Sequence, residues 1–317
     1  MACCDDGSMT TGPRTARTWT PPTEKEFTSE TAERTLRAAC SIVGLDSCGA
    51  GLLRLGTNAN YRLAAHPVMV RIAPGHIEDV RKELDVARWL ASSGFPAARV
   101  VKDIDQPLIL GERAATFWKL IEESPEPAHV VDVARLLRDL HRLPEPRAFA
   151  LPRFEPLAHT IRRLGSATDG EDAQFLRDRC ELLQRQFADL EFVLPPGVIH
   201  GDAHEGNALR DPSGTVQLLD FESFAIGPRE WDLGVLALRY RPFGWVSEDD
   251  YKACVVAYGG FDVTEWPGFR VLRAIRELSM TTWLLQNAGK SPEHYAEFRK
   301  RVADLRDDSA PRHWRAL

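Results

Sequence analysis

From residue 28 onward the chain runs through two hydrophobic periodicities, and the point where they change divides it. Ala32, Leu36, Ala39 and Val43 recur at helical spacing and predict a helix over 28–43. Short apolar runs at 52–55, 60–63 and 68–72 then predict strands, the last reading Val-Met-Val-Arg-Ile. Val80, Leu84, Ala87 and Leu90 return to helical spacing over 76–93, a helix closed by Gly94 with Pro96 beyond it. Runs at 100–102, 108–110 and 116–121 complete a mixed sheet, and Ser124-Pro125-Glu126-Pro127 breaks the pattern as a linker. Helical periodicity dominates afterwards, at 130–142, 171–189, 230–240, 247–258, 267–288 and 292–305. The expected class is α+β. Residues 29–123 form a small lobe with a sheet and one main helix, and residues 124–317 a larger, mostly helical lobe. Residues 1–28, rich in Thr, Pro, Gly and charge, are expected to be a flexible leader in which Met9 is a second candidate start.

The helical half is interrupted once, by His200-Gly201-Asp202-Ala203-His204-Glu205-Gly206-Asn207 and, after a gap, Asp220-Phe221-Glu222. Between them, 207–210, Asp211-Pro212-Ser213-Gly214 and 215–220 read as strand, turn and strand. A hairpin turning at 211–214 pairs Arg210 with Thr215 and roughly Asn207 with Leu218. Asn207 and Asp220 then meet at its open end, an amide and a carboxylate able to hold one oxygen-seeking ion such as Mg²⁺. His200 and His204 have the spacing of a metal pair on a helix, but Gly201 and Gly206 argue against that helix, and zinc is the weaker reading.

This spacing resembles the aminoglycoside phosphotransferase and choline kinase-like family of small-molecule kinases, whose pattern is His-Gly-Asp, four residues, Asn, then Asp with an aromatic after it. Glu222 stands where protein kinases carry Gly. The resemblance implies a protein kinase-like two-lobed fold with the nucleotide in the cleft between lobes, and ATP (or GTP) with Mg²⁺ as cofactors. It implies Asp202 as the group that orients an acceptor hydroxyl and takes its proton, and Asn207 and Asp220 as metal ligands. His200 would brace the loop. Gly227-Pro228-Arg229-Glu230-Trp231-Asp232-Leu233 also looks like the family, which makes Asp232 an acceptor of backbone hydrogen bonds beneath the catalytic loop. As a residue alone, Asp232 equally fits the charge preference of a helix N-terminus.

On the nucleotide side a cation on the third strand and an acid on the following helix are needed. Arg71 takes the place of the usual Lys, a planar fork instead of a compact charge. Glu83 borders the buried side of its helix, whereas Glu78, Lys82 and Asp85 fall on the polar side, so Glu83 is the partner assigned to Arg71. The competing readings are a surface Arg71 and a solvated Glu83. Gly56, Thr57 and Asn58 are the candidate loop over the phosphates, though such fragments also mark ordinary hairpin turns. Backbone groups near 120–122 would recognise the purine.

A formal charge of −6 argues against a general nucleic-acid partner, and no apolar run approaches the roughly 18 residues of a membrane span. Six scattered cysteines suggest reduced thiols and a cytoplasmic protein. The expected partner is a small-molecule hydroxyl acceptor such as an aminoglycoside, amino sugar or amino alcohol. Glu222, Glu248, Asp249, Asp250, Glu265 and Glu277 are candidate acids for a cationic acceptor, and Arg276, Trp283 and Gln286 candidate walls. Acid runs such as 248–250 also fit solvated helix starts. A catalytically silent nucleotide-binding module and a protein-directed kinase are the competing functions. The short stretch after Asp220 argues against the second. Oligomeric state has no signature in the chain.

Overall fold

The computed structural model describes residues 27–315 except 76, 166–169 and 286–290. The leader up to residue 26 and Gln286 therefore lie outside the described residues. Helix α1 (Ser29–Val43) is entered through Thr28, whose hydroxyl accepts the Thr31 N–H at 3.2 Å while Thr31 returns the favour to the Thr28 N–H at 3.0 Å. It ends where Gly44 turns left-handed at φ 74°.

Strands β1 (Gly51–Leu55), β2 (Ala59–Arg62) and β3 (Val68–Pro74) precede α2 (Ile77–Ser92), and β4 (Leu108–Leu110) and β5 (Arg113–Lys119) follow it. The five strands form one sheet in the order β1-β2-β3-β5-β4. Every pairing is antiparallel, where the sequence had left the strand senses mixed. Tight turns join β1 to β2, β2 to β3 and β4 to β5, and such turns admit no parallel pair. The strand expected over 100–102 is reduced to a single bridge between Val100 and Trp118. Buried Gln106 takes over the strand's role there, accepting from the Phe117 N–H at 2.7 Å and donating to the Val101 carbonyl at 2.9 Å.

Alternation along β3 decides where its charge goes. Val68, Val70 and Ile72 face a core shared with Leu36 of α1 and Phe117 of β5. Arg71 therefore faces the opposite side, toward α2. The apolar side of α2, with Leu84, Ala87 and Leu90, belongs to a second core that continues through Trp118 into the helical half. Trp118 and Phe221 make the crossing, with ring centroids 6.0 Å apart. Each fully buried Leu or Phe on this path contributes about 1.5–3 kcal/mol, so the halves share a substantial apolar seam.

Beyond the linker come α3 (Val130–Leu140), α4 (Ala158–Gly165) and α5 (Glu171–Ala188), then strands β6 (Gly197–Ile199), β7 (Ala208–Arg210), β8 (Val216–Leu218) and β9 (Ala225–Gly227). Helices α6 (Arg229–Tyr240), α7 (Glu248–Tyr258), α8 (Phe269–Trp283) and α9 (Pro292–Arg306) close the half. β6 pairs with β9, and β7 with β8, both antiparallel. Helix α4 and the strands β6 and β9 escaped the sequence reading. In α4 only Thr160 and Leu164 are buried, too few for a periodic signal, and each of the two strands is three residues long. Among the described residues no helix is long and apolar enough to cross a membrane, and Cys40, Cys48, Cys180 and Cys254 are free thiols.

Candidate active site

The loop after β6 is held from below by one carboxylate. Asp232, in the first turn of α6 and fully buried, accepts the His200 N–H on Oδ2 and the Gly201 N–H on Oδ1, both at 2.8 Å. Its Oδ2 also lies 3.0 Å from His141 Nε2, and His141 Nδ1 lies 2.9 Å from the Tyr258 hydroxyl. Asp232 thus occupies both positions the sequence offered, a helix N-terminus and the underside of the loop. His141 and Tyr258 were missed. A single His after an apolar helical stripe carries no sequence signal of its own, and this one is buried against Asp232 of α6 and Tyr258 of α7.

The His200 ring is spent on the loop. Nε2 lies 2.8 Å from the Leu219 carbonyl, and Nδ1 takes the Asp202 N–H at 3.2 Å, so these partners assign the proton to Nε2. Neither nitrogen is left for a metal, which removes the zinc reading. Gly201 adopts φ 85°, and a Cβ there would stand 2.5 Å from the Ser223 carbonyl oxygen. The Trp231 indole donates to the Gly201 carbonyl at 2.8 Å.

Asn207 ends a short 3₁₀ turn, and its side-chain amide donates to the Asp202 carbonyl at 2.9 Å. The hairpin beyond it is offset by one residue from the predicted register: Arg210 faces Val216 and Ala208 faces Leu218. Asp211 is the cause, since its Oδ1 accepts from the Ser213 N–H at 2.9 Å and the Thr215 N–H at 3.1 Å and lengthens the turn by a residue. The open end is still where the sequence put it. The Leu219 N–H donates to the Asn207 carbonyl at 2.8 Å, and Asp220 follows directly. Asp220 has φ 58°, alone among described non-glycine residues in the left-handed region. One amide and one carboxylate suit a hard ion that keeps water and phosphate oxygens as its other ligands. No cluster of three or more His, Cys, Asp or Glu suited to a metal occurs among the described residues.

The Asp202 side chain is 39% exposed. Arg276 Nη2 of α8 donates to its Oδ1 at 2.7 Å, and His204 Nε2 lies 3.8 Å from Oδ2. Desolvation pushes this carboxyl up, but Arg276 and the two histidines outweigh it and hold the group below its ordinary value. Arg276 is itself stacked over Trp231 at 5.7 Å. Glu277, next in sequence, is itself buried and pairs with half-buried Arg273 and buried Arg312.

Across the cleft, Arg71 and Glu83 form the predicted ion pair, both largely buried. Burial pushes Glu83 up to about 7, Asp220 and Glu222 add to that, and Arg71 pulls against them. Desolvation works against the charge of Arg71, but Glu83, Asp220 and Glu222 together raise its pKa. Asn60 sits opposite Arg71 on β2, and Asn60 Oδ1 and Arg71 Nε are buried polar atoms without a partner within the protein. Lys82 departs from the sequence reading. Placed there on the polar side, it instead spans the cleft and donates to the Glu222 carbonyl. Gly56, Thr57 and Asn58 form the β1–β2 turn, closed by a 2.9 Å bond from the Gly56 N–H to the Asn58 carbonyl. At the edge expected to read the purine, the Leu120 N–H is used by Pro67 and the Ser124 N–H by Arg210.

The model of the "Phosphotransferase enzyme family" matches residues 54–274, more than half of the chain. Among solved structures, a choline/ethanolamine kinase family protein from Mesorhizobium loti is 21% identical with a TM-score of 0.62, over 90% of this chain and 96% of that one. The amicoumacin kinase hAmiN, solved with AMP-PNP, Ca²⁺ and Ami, is 14% identical with a TM-score of 0.66, over 90% and 97%. A spectinomycin phosphotransferase bound to ADP and spectinomycin is 14% identical with a TM-score of 0.61, over 86% and 94%. These similarities carry the protein kinase-like fold, and the family match across both lobes carries the rest: the chain belongs to the phosphotransferase enzyme family of small-molecule kinases.

Proposed function

We propose that the protein transfers the γ-phosphoryl group of ATP or GTP to a hydroxyl of a small molecule. The observation that carries this reading is Asp202, partly exposed, held by Arg276 and tied through its own carbonyl to Asn207. Asp202 orients the acceptor hydroxyl and takes its proton late. A carboxylate of lowered pKa suffices for that if the transition state is loose. Asn207 and Asp220 would hold Mg²⁺, which when bound offsets charge on the phosphates. Arg71, kept in place by Glu83, binds phosphate oxygens, with Gly56, Thr57 and Asn58 above them. The backbone of 121–123 reads the purine, since the N–H groups on either side are occupied.

Residues 29–123 in this scheme serve the nucleotide and residues 124–317 the chemistry and the acceptor. The silent-module alternative was motivated by Arg in place of Lys. A buried Arg71–Glu83 pair with unpartnered polar atoms beside it speaks for a phosphate site instead. Free thiols suit the cytoplasm. The test is phosphorylation of a panel of aminoglycosides, amino sugars, amino alcohols, hydroxy acids and sugar acids with ATP or GTP and Mg²⁺, read by product mass. Asp202→Ala should lower turnover by about 10³-fold and leave nucleotide affinity within twofold. Full turnover in that variant would remove Asp202 from the chemistry.

A further inference from the structure

Asp232 anchors the catalytic loop at its first two residues, His200 and Gly201. Asn207 stands at the far end. Its side-chain Nδ2 donates to the Asp202 carbonyl at 2.9 Å, which leaves Oδ1 for an ion. The far end is shaped by the 3₁₀ turn over Glu205–Asn207. The Asn207 N–H donates to the His204 carbonyl at 2.9 Å, and the Gly206 N–H donates to His204 Nδ1 at 3.1 Å. A Cβ at Gly206 would stand 2.8 Å from His204 Cε1. A turn wound this tightly carries any displacement of Glu205 to Asn207, two residues on.

Glu205 is tied outside the loop. Its Oε1 accepts from Arg239 Nη2 in the last turn of α6, a position where a cation suits the helix end. The Arg239 and Glu205 side chains are 19% and 30% exposed, and Arg239 Nε and Glu205 Oε2 are buried without a partner within the protein. Desolvating a pair left so incompletely satisfied offsets much of its attraction, and apolar side chains of similar size would join the two segments at least as well. Stability alone therefore explains the pair poorly. Arg239 is also aimed from behind. Its guanidinium lies 5.2 Å over the Trp245 ring, and the Trp245 and Val246 N–H groups return to the Arg239 carbonyl at 2.7 and 3.0 Å. Trp245 stacks on Phe243 with centroids 4.6 Å apart, and its indole donates to the carbonyl of buried Trp314 at 3.2 Å. A long side chain is thus held in one geometry, with its charge on the loop.

We propose that Glu205 is a positioning residue for the metal site: its pair with Arg239, locked by Trp245, sets where Asn207 presents Oδ1 to the ion. This rests on the kinase reading above, in which Asn207 holds the divalent ion that accompanies the nucleotide. Oε1 of Glu205 is taken by Arg239 and Oε2 is enclosed, so Glu205 acts through the backbone of the turn and is not itself a ligand.

The test uses the full chain with AMP-PNP and Mn²⁺, the metal read by water-proton relaxation, and AMP-PNP alone titrated in EDTA. Glu205→Gln keeps the shape and removes the charge. It should weaken Mn²⁺ in the ternary complex by about tenfold, the scale of one charge-assisted hydrogen bond, and leave AMP-PNP affinity in EDTA unchanged. Arg239→Gln should lose at least as much, and Arg239→Lys should recover part of it, which also serves if Glu205→Gln does not fold. The double variant carrying both Gln substitutions should bind Mn²⁺ no more weakly than the weaker single one, because a single interaction is removed in all three. A general loosening of the fold would lower both affinities together. Unchanged Mn²⁺ affinity in the single variants, losses that multiply in the double variant, or a parallel loss of metal-free AMP-PNP binding overturns the proposal and leaves the pair a structural staple. Wild-type protein that binds no Mn²⁺ with AMP-PNP is a separate result and sinks the kinase reading itself.

Discussion

The catalytic loop and the β1–β2 turn stand at opposite ends of the proposed site, and the protein holds them in opposite ways. The loop at 200–207 is bonded from beneath by Asp232, from behind by Leu219 and Trp231, and within itself by His200 and Asn207. The turn at 56–58 has one short internal bond and extends from β1, which is exposed at every residue. The contrast follows the work each has to do. A carboxylate that receives a proton must be placed within a few tenths of an ångström, whereas a loop that covers phosphates with backbone N–H groups has to close and reopen. Rigidity is concentrated where chemistry is proposed.

The strongest way to break that contrast is to remove its anchor. Asp232→Ala should strand two buried backbone N–H groups and His141 at once, a loss of about 3–5 kcal/mol by analogy with broken buried networks. A loss of unfolding free energy less than a third of that, read from denaturant titration, would mean that Asp232 is a helix-end charge and little more. On the other lobe, Arg71→Ala should weaken nucleotide binding by about 10–100-fold, the worth of one charge-assisted contact to phosphate. Stability should fall less than for a buried ion pair of ordinary acids, because Glu83, already pushed up to about 7, can take a proton when its partner leaves. Unchanged affinity in that variant would return Arg71 to a structural role. Asp220→Gly sharpens the comparison further. A non-glycine residue at φ 58° costs about 1 kcal/mol, so the variant should gain roughly that much stability while losing Mg²⁺-dependent nucleotide binding. A variant that gains no stability would show that the strain is met elsewhere in the loop.

The same contrast governs what could be read from the sequence. Asn207 and Asp220 were brought together on paper by a short hairpin, as they are in space, whereas His200, Asp202 and Asp232 were placed by the resemblance of their stretch to a family of small-molecule kinases. The Arg71–Glu83 pair was legible because a kinase needs a cation on the third strand and because Glu83 borders the apolar side of α2. Arg276 was named only as a wall residue, and His141 not at all. Each reaches the site through tertiary packing of helices distant in sequence, and periodicity reports which face is buried without saying against what. Lys82 fails for a related reason: its helix position is polar, but the polar side of α2 faces a cleft and not bulk water. The one-residue error in the β7–β8 register came from Asp211, whose side-chain bonds lengthen a turn that composition alone makes short.

The smallest expected effect belongs to the weakest-held element. If Thr57 acts over the phosphates only through a loop that backbone donors already serve, Thr57→Ala should change the nucleotide KM by less than about threefold, the scale of one solvent-exposed hydrogen bond. Thr57→Pro is the sharper variant. It removes the backbone N–H at 57 and fixes φ there, so a covering role for the turn predicts a larger rise in nucleotide KM than Thr57→Ala, with denaturation midpoints alike because β1 buries little. Equal KM values in the two variants would show that the turn at 56–58 is only the connection between two strands. The phosphate donors would then have to be sought on β2 and β3, beginning with Asn60 and Arg71.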